Sequence, residues 1–221
     1  VTFSILARDP EDGSIGCAAA TGNLAVGAWV LRAAANVGAV ATQGQSVSSL
    51  WGDQGLELLH QGKTADDIVD QLTSADTGRD HRQLAVLDRS GQVASFTGTA
   101  NKAARGMRSG NNWVISGNWL ESEIVLDAMA AEWSSKNSSN WSMADRLLAI
   151  LQAGHAAGGD ERGCLSAALK VVHKDRPALD LRVDYDDAPI TRLAELHQRT
   201  QEQSYRRWVE GLPTLKRPEQ C

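Results

Sequence analysis

Polar and apolar residues alternate from the first strand-length segment onward. In residues 2–8 (TFSILAR), Phe3, Ile5 and Ala7 share one face, and residues 14–21 (SIGCAAAT) return after Asp9-Pro10-Glu11-Asp12-Gly13. Period-two alternation on both sides of a Pro/Asp/Gly cluster predicts a β-hairpin. Gly16, Ala18, Ala19 and Ala20 make the returning strand thin enough for another layer to approach closely. Val26-Gly27-Ala28 and Val37-Gly38-Ala39 repeat one small-residue pattern, which predicts a second strand pair over 25–30 and 37–43, joined by 31–36. Residues 83–88 and 92–98 predict another hairpin across Arg89-Ser90-Gly91, residues 113–117 a further strand, and residues 165–173 and 179–184 two late strands.

Helical spacing takes over between these groups. Residues 51–60 predict a short helix stopped by Gln61-Gly62, and Thr64-Ala65-Asp66-Asp67 opens a helix through Leu72 in the manner of a capping box. Amphipathic helices are predicted over 121–134 and 144–153, on either side of the polar linker 134–142, and a final helix over 190–202. Strands in groups with helices inserted in blocks predict a layered α+β sandwich, not regular βαβ winding. Neither GxGxxG nor GxxxxGK[ST] occurs, which counts against the common nucleotide-binding α/β folds.

Composition narrows the class. The 221 residues are 42% hydrophobic and 22% charged with 5 Pro, which excludes a disordered tail, a collagen repeat and a disulfide mini-protein. A single domain over residues 1–210 with a loosely held tail over 211–221 is expected. No apolar run reaches the roughly 20 residues of a spanning helix, and residues 1–6 lack the basic start and long apolar centre of a signal peptide. The formal net charge of −5 offers no basic footprint for nucleic acid or an anionic membrane. Cys17, Cys164 and Cys221 are odd in number and not spaced as metal ligands, which fits a reducing, cytoplasmic setting with Cys17 and Cys164 as small core residues; a leader removed ahead of residue 1 is compatible with all of this.

Candidate chemistry is sparse. His60, His81, His155, His173 and His197 are scattered and form no HExxH or HxH cluster, so no metal site is expected. A GxSxG elbow is absent; Gly44-Gln45-Ser46 comes nearest and lacks the closing glycine. Cys17 stands mid-strand among small apolar residues, where an inert thiol is expected. Gly158-Gly159-Asp160-Glu161-Arg162-Gly163 joins a helix to a strand, and Asp160 and Arg162 there can clamp each other or a polar ligand. Ser116-Gly117-Asn118 follows a strand, where the Asn118 amide can donate to a developing oxyanion or cap a helix. Thr2 is a nucleophile candidate if it becomes the first residue, because an α-amine of pKa near 8 can then take its proton.

The blocks TFSILARDPEDGSIGCAAAT, LAVGAWV, NVGAVATQ, RQLAVLDRSGQVASFTG, SGNWL, AGGDERGCLSAAL and DLRVD run in order through residues 2–187. Together they resemble the bacterial domain of unknown function 1028 family (DUF1028), which is placed with the N-terminal nucleophile (Ntn) hydrolases. The resemblance implies an α+β fold, a four-layer αββα sandwich of two antiparallel sheets. It also implies amide hydrolysis with the N-terminal threonine as nucleophile, which maps onto Thr2. Two features depart from that pattern: Val1 precedes Thr2, and no lysine occurs before Lys63 to tune the nucleophile as in proteasome-type members.

The function expected from this resemblance is an Ntn-type amidohydrolase acting on a small-molecule amide or a short peptide. Thr2 attacks, Asn118 and backbone N–H groups form the oxyanion hole, and Thr21, Asn23, Gln43, Asp160 and Arg162 contact the substrate. Arg162 would favour a carboxylated substrate. No cofactor is expected; the partners are the substrate, with no nucleic acid and no membrane, and self-association into a homo-oligomer is left open. The competing reading is a non-catalytic small-molecule-binding or assembly protein on the same fold, and a peptidase for larger chains is a weaker third.

Overall fold

The computed structural model describes residues 2–135, 141–160 and 162–220. Val1, Glu161, Cys221 and part of the 134–142 linker lie outside the described residues. The alternating N-terminal segments form strands β1 (Thr2–Arg8) and β2 (Ile15–Thr21), paired antiparallel with Thr2 opposite Thr21. The chain then runs through α1 (Val26–Trp29), β3 (Leu31–Ala34), β4 (Gly38–Gly44), α2 (Ser49–His60), α3 (Ala65–Ser74), β5 (Arg82–Asp88), β6 (Val93–Thr97), β7 (Gly106–Gly110) and β8 (Trp113–Asn118). It closes with α4 (Ile124–Ser135), α5 (Met143–Ala156), β9 (Ser166–His173), β10 (Arg176–Val183), α6 (Pro189–Thr200) and α7 (Gln203–Glu210).

Two antiparallel sheets result, ordered β10-β9-β2-β1-β8-β7 and β3-β4-β5-β6. Three apolar layers hold them. Between the sheets lie Leu6, Cys17, Ala19, Ala39, Ala41, Ala85, Leu87 and Val114, mostly small, as the alanine-rich strands require. The outer face of the six-stranded sheet buries Phe3 and Ile5 against Leu126, Met129, Leu147 and Ile150 of α4 and α5. On the far side, Val40, Leu84 and Val86 pack on Trp51, Leu59, Ile68 and Leu72 of α2 and α3. Helix, sheet, sheet, helix: the fold is an α+β sandwich of four layers.

Local chemistry explains most boundaries. Ser48 and Thr64 cap α2 and α3 by accepting the N–H groups of Trp51 and Asp67, and Ser142 and Asp145 cap α5 reciprocally. At Gly16 a Cβ would lie 2.6 Å from Met143 Cγ, so glycine lets α5 seat directly on β2. The expected strand over 25–30 is not there. Ala25 takes a left-handed φ of 56°, Val26–Trp29 forms a helical turn, and the strand that pairs with β4 is Leu31–Ala34. This segment crosses from one sheet to the other, and its backbone is held by distant atoms: Ala25 N–H donates to Asp184 O and Val26 N–H to Ser166 Oγ. Strand β7 has no clear apolar alternation, and helix α7, with Tyr205, Trp208 and Val209 on one face of an otherwise polar segment, is absent from the elements predicted from the sequence. Within residues 211–220, Lys216 pairs with Asp175 at 2.8 Å. Among the described residues no helix is long and apolar enough to cross a membrane.

Candidate active site

Thr2 begins the strand at the centre of the six-stranded sheet, between β2 and β8. Its register partners are Thr21 and Asn118, so three polar side chains stand in a row on the face turned toward the second sheet. All three are buried. Thr2 Oγ1 donates to Thr21 Oγ1 at 3.1 Å. One strand pleat further in, Ser4 Oγ donates to Gln43 Oε1 at 2.7 Å, linking the two sheets. Gln43 Nε2 in turn donates to the Thr2 carbonyl at 3.1 Å and to Gln83 Oε1 at 2.7 Å.

Gln83, fully buried on β5, is the hub behind this row and was not expected from the sequence. Its Nε2 donates to Thr97 Oγ1, Gly106 O and Gly117 O at 2.8, 3.1 and 2.9 Å, and its Oε1 also accepts from Asn118 Nδ2 at 3.2 Å. Asn118 therefore caps no helix. It ends β8 with one of its two N–H donors on Gln83 and its amide plane set by that bond. Ser116 Oγ, across from Ser4, is buried without a hydrogen-bond partner among the described residues. The only sequence signal for Gln43, Gln83 and Ser4 was a polar residue in phase with an inward-facing apolar row.

The glycine-rich turn sits at the same end of the sheet. Asp160, buried, accepts the N–H of Gly22, the residue after Thr21, and the N–H of Arg162 at 2.8 Å; its backbone bridges to Leu120, two residues after Asn118. A Cβ on Gly22 would lie 2.5 Å from Asp160 Oδ2 and 2.5 Å from Gly163 O, so only glycine admits this contact. The Arg162 guanidinium is 3.5 Å from Asp160 and 4.9 Å from the ring of Trp119, which Lys102 covers at 3.6 Å. Trp119 itself adopts a φ of 58°, a strained conformation for a bulky residue.

Thr2, Thr21, Asn118 and Gln43 thus form one hydrogen-bonded group, with Asp160 and Arg162 on its border. Asn23 is exposed, and among the described residues its side chain accepts only the adjacent Leu24 N–H. Neither Cys17 nor Cys164 is a ready nucleophile, because burial pushes the Cys17 thiol up to about 12 and the Cys164 thiol up to about 11. Among the described residues no cluster of three His, Cys, Asp or Glu could hold a metal ion.

A model of a family of unknown function, DUF1028, matches residues 2–193. The crystal structure of protein SPO2555 from Silicibacter pomeroyi, of the same family, is similar to this chain with a TM-score of 0.92 and 43% identity, over 99% of this chain and 98% of that one. No curated protein matches the chain.

Proposed function

The chain belongs to the DUF1028 family, and on that footing we propose that it is an Ntn-type amide hydrolase whose nucleophile is Thr2, acting as the first residue of the mature chain. The observation that carries this reading is the Thr2 hydroxyl itself, buried at the end of the central strand and hydrogen-bonded to Thr21, with Asn118 opposite. A hydroxyl so held has one rotamer to react from, which removes orientational freedom from the attack.

In the reaction, Thr2 Oγ1 adds to the carbonyl carbon of the substrate amide while its proton passes to the Thr2 α-amine. The amine returns that proton to the leaving nitrogen as the C–N bond breaks, which leaves an ester on Thr2. Water then adds to the ester, again with the amine taking and returning a proton, and the C–Oγ1 bond breaks to release the acid. The second N–H of Asn118 supplies an oxyanion donor, and Gln83 keeps its amide pointed. Arg162, at the border of the group, favours a substrate that carries a carboxylate. The small scale of the polar group fits a small amide or a short peptide, and no step calls for a cofactor.

The mechanism requires that nothing precede Thr2. Protein cleaved to begin at Thr2 should turn over members of a panel of carboxylated anilides and dipeptides, with an acyl adduct visible by intact mass. Thr2→Ala should abolish turnover, Thr2→Ser should retain part of it, and one extra residue ahead of Thr2 should be nearly as damaging as Thr2→Ala, since it converts the amine into an amide. Full turnover with the extra residue in place would refute the amine as base. Binding without turnover in every form would favour a non-catalytic binding protein on this fold.

A further inference from the structure

A second feature lies at the opposite end of the β1–β2 hairpin, about 20 Å along the strands from Thr2. There a cavity of about 520 Å³ opens between the 9–14 turn, the start of α5, the β9–β10 turn and α6. Arg146, in the first turn of α5, lines it. The residue is only 6% exposed, yet its Nε is buried without a hydrogen-bond partner among the described residues. Its flat face is covered by Trp133, whose ring centroid lies 3.6 Å from Cζ. Among the described residues the donor-bearing edge of the guanidinium has no acceptor. Burial accordingly pushes its pKa below the ordinary arginine value, and only the charge of Asp9 opposes that shift.

Asp9 lines the same cavity and acts on Arg146 by its field, forming no ion pair among the described residues. Its Oδ1 accepts the Glu11 N–H at 2.8 Å. Of the other carboxylates of the wall, Asp12 pairs with Arg176 and Asp145 with His197 at 2.9 Å, while Glu11 has no ion pair among the described residues. A buried cation and a nearby anion are therefore held apart at the edge of an open space, each without a charged partner in contact among the described residues. We propose that this cavity is a binding site for a small zwitterion of the α-amino-acid type, its carboxylate on the Arg146 fork and its ammonium on Asp9. A planar carboxylate matches the guanidinium edge with two parallel N–H···O bonds. A phosphate dianion fits less well, because Asp9, Glu11, Asp12 and Asp145 all border the space. The site shares no residue with the Thr2 group and stands whether or not that group is catalytic.

The test is a titration of the whole chain, uniformly labelled with ¹⁵N, followed at the Arg146 Nε–H resonance at constant ionic strength. Glycine should shift it saturably, N-acetylglycine with a midpoint about tenfold higher, and glycinamide not at all. By calorimetry, Arg146→Gln should abolish the heat of glycine binding, while Asp9→Asn should weaken glycine and leave N-acetylglycine unchanged. The wild-type titration decides the matter even if Arg146→Gln fails to fold. No saturable response to glycine overturns the site. Equal midpoints for glycine and inorganic phosphate overturn the zwitterion, as does a response to glycinamide. A shift that tracks protein concentration without glycine would make this surface an interface between two copies and overturn the proposal.

Discussion

Replacing Gln83 by leucine tests the polar group from behind. The side chain is fully buried, so the variant changes no surface. It removes the acceptor of Asn118 Nδ2 and the side-chain donor to Gly106 O and Gly117 O; Thr97 can rotate to another partner, and Gln43 Nε2 keeps the Thr2 carbonyl. Three buried or half-buried polar groups left without that partner cost about 1–2 kcal/mol each, roughly 3–6 kcal/mol together, before any relaxation. Leucine restores the apolar contact but none of these bonds. Against a total stability of about 5–15 kcal/mol, and at about 2–4 °C per kcal/mol for a chain of this size, the melting temperature should fall by about 6–24 °C. Urea unfolding followed by circular dichroism should show the midpoint lowered with an unchanged slope. Because the same substitution frees the Asn118 amide, turnover measured well below the melting temperature should also fall. A loss below about 1 kcal/mol would mean that water or a side-chain shift satisfies those groups, and the hub role of Gln83 would be wrong.

Other substitutions probe the surroundings. Gly22→Ala places a methyl 2.5 Å from both Asp160 Oδ2 and the Gly163 carbonyl, and should cost about 1–3 kcal/mol in urea unfolding; an unchanged urea midpoint would mean that the Asp160 turn can give way. Burial pushes the Asp145 carboxyl up, but hydrogen bonds from Ser142 and His197 outweigh it and leave the pKa below the ordinary value. A lowered folded pKa contributes stability above the unfolded value of about 3.9 and loses it as pH falls through the folded one; Asp145→Asn should therefore flatten the acid side of the urea midpoint against pH. Cys17 and Cys164 should resist a thiol reagent in the native protein and react after denaturation, with peptide mapping by mass spectrometry as the readout; rapid native labelling of either would contradict their burial.

Most elements were legible because their information is local. Alternation of Phe3, Ile5 and Ala7 around a Pro/Asp/Gly turn specifies a hairpin whatever surrounds it, and Ser48, Thr64 and Ser142 start helices through hydrogen bonds only three residues long. Residues 25–30 show the limit. Their composition suits a strand, and they become a helical turn because Asp184 and Ser166, more than a hundred residues away, accept their backbone N–H groups. The candidate site depends still more on distance in the chain. Parity along each strand places Thr2 and Ser4 with Leu6, and Gln83 with Ala85 and Leu87, on inward faces, and this much the sequence contains. That Ser4 meets Gln43, Gln43 meets Gln83, and Gln83 meets Asn118 follows only after two sheets have stacked in one register. A buried polar side chain states in the sequence that it needs a partner; which partner it finds is decided by the packing that brings distant strands together.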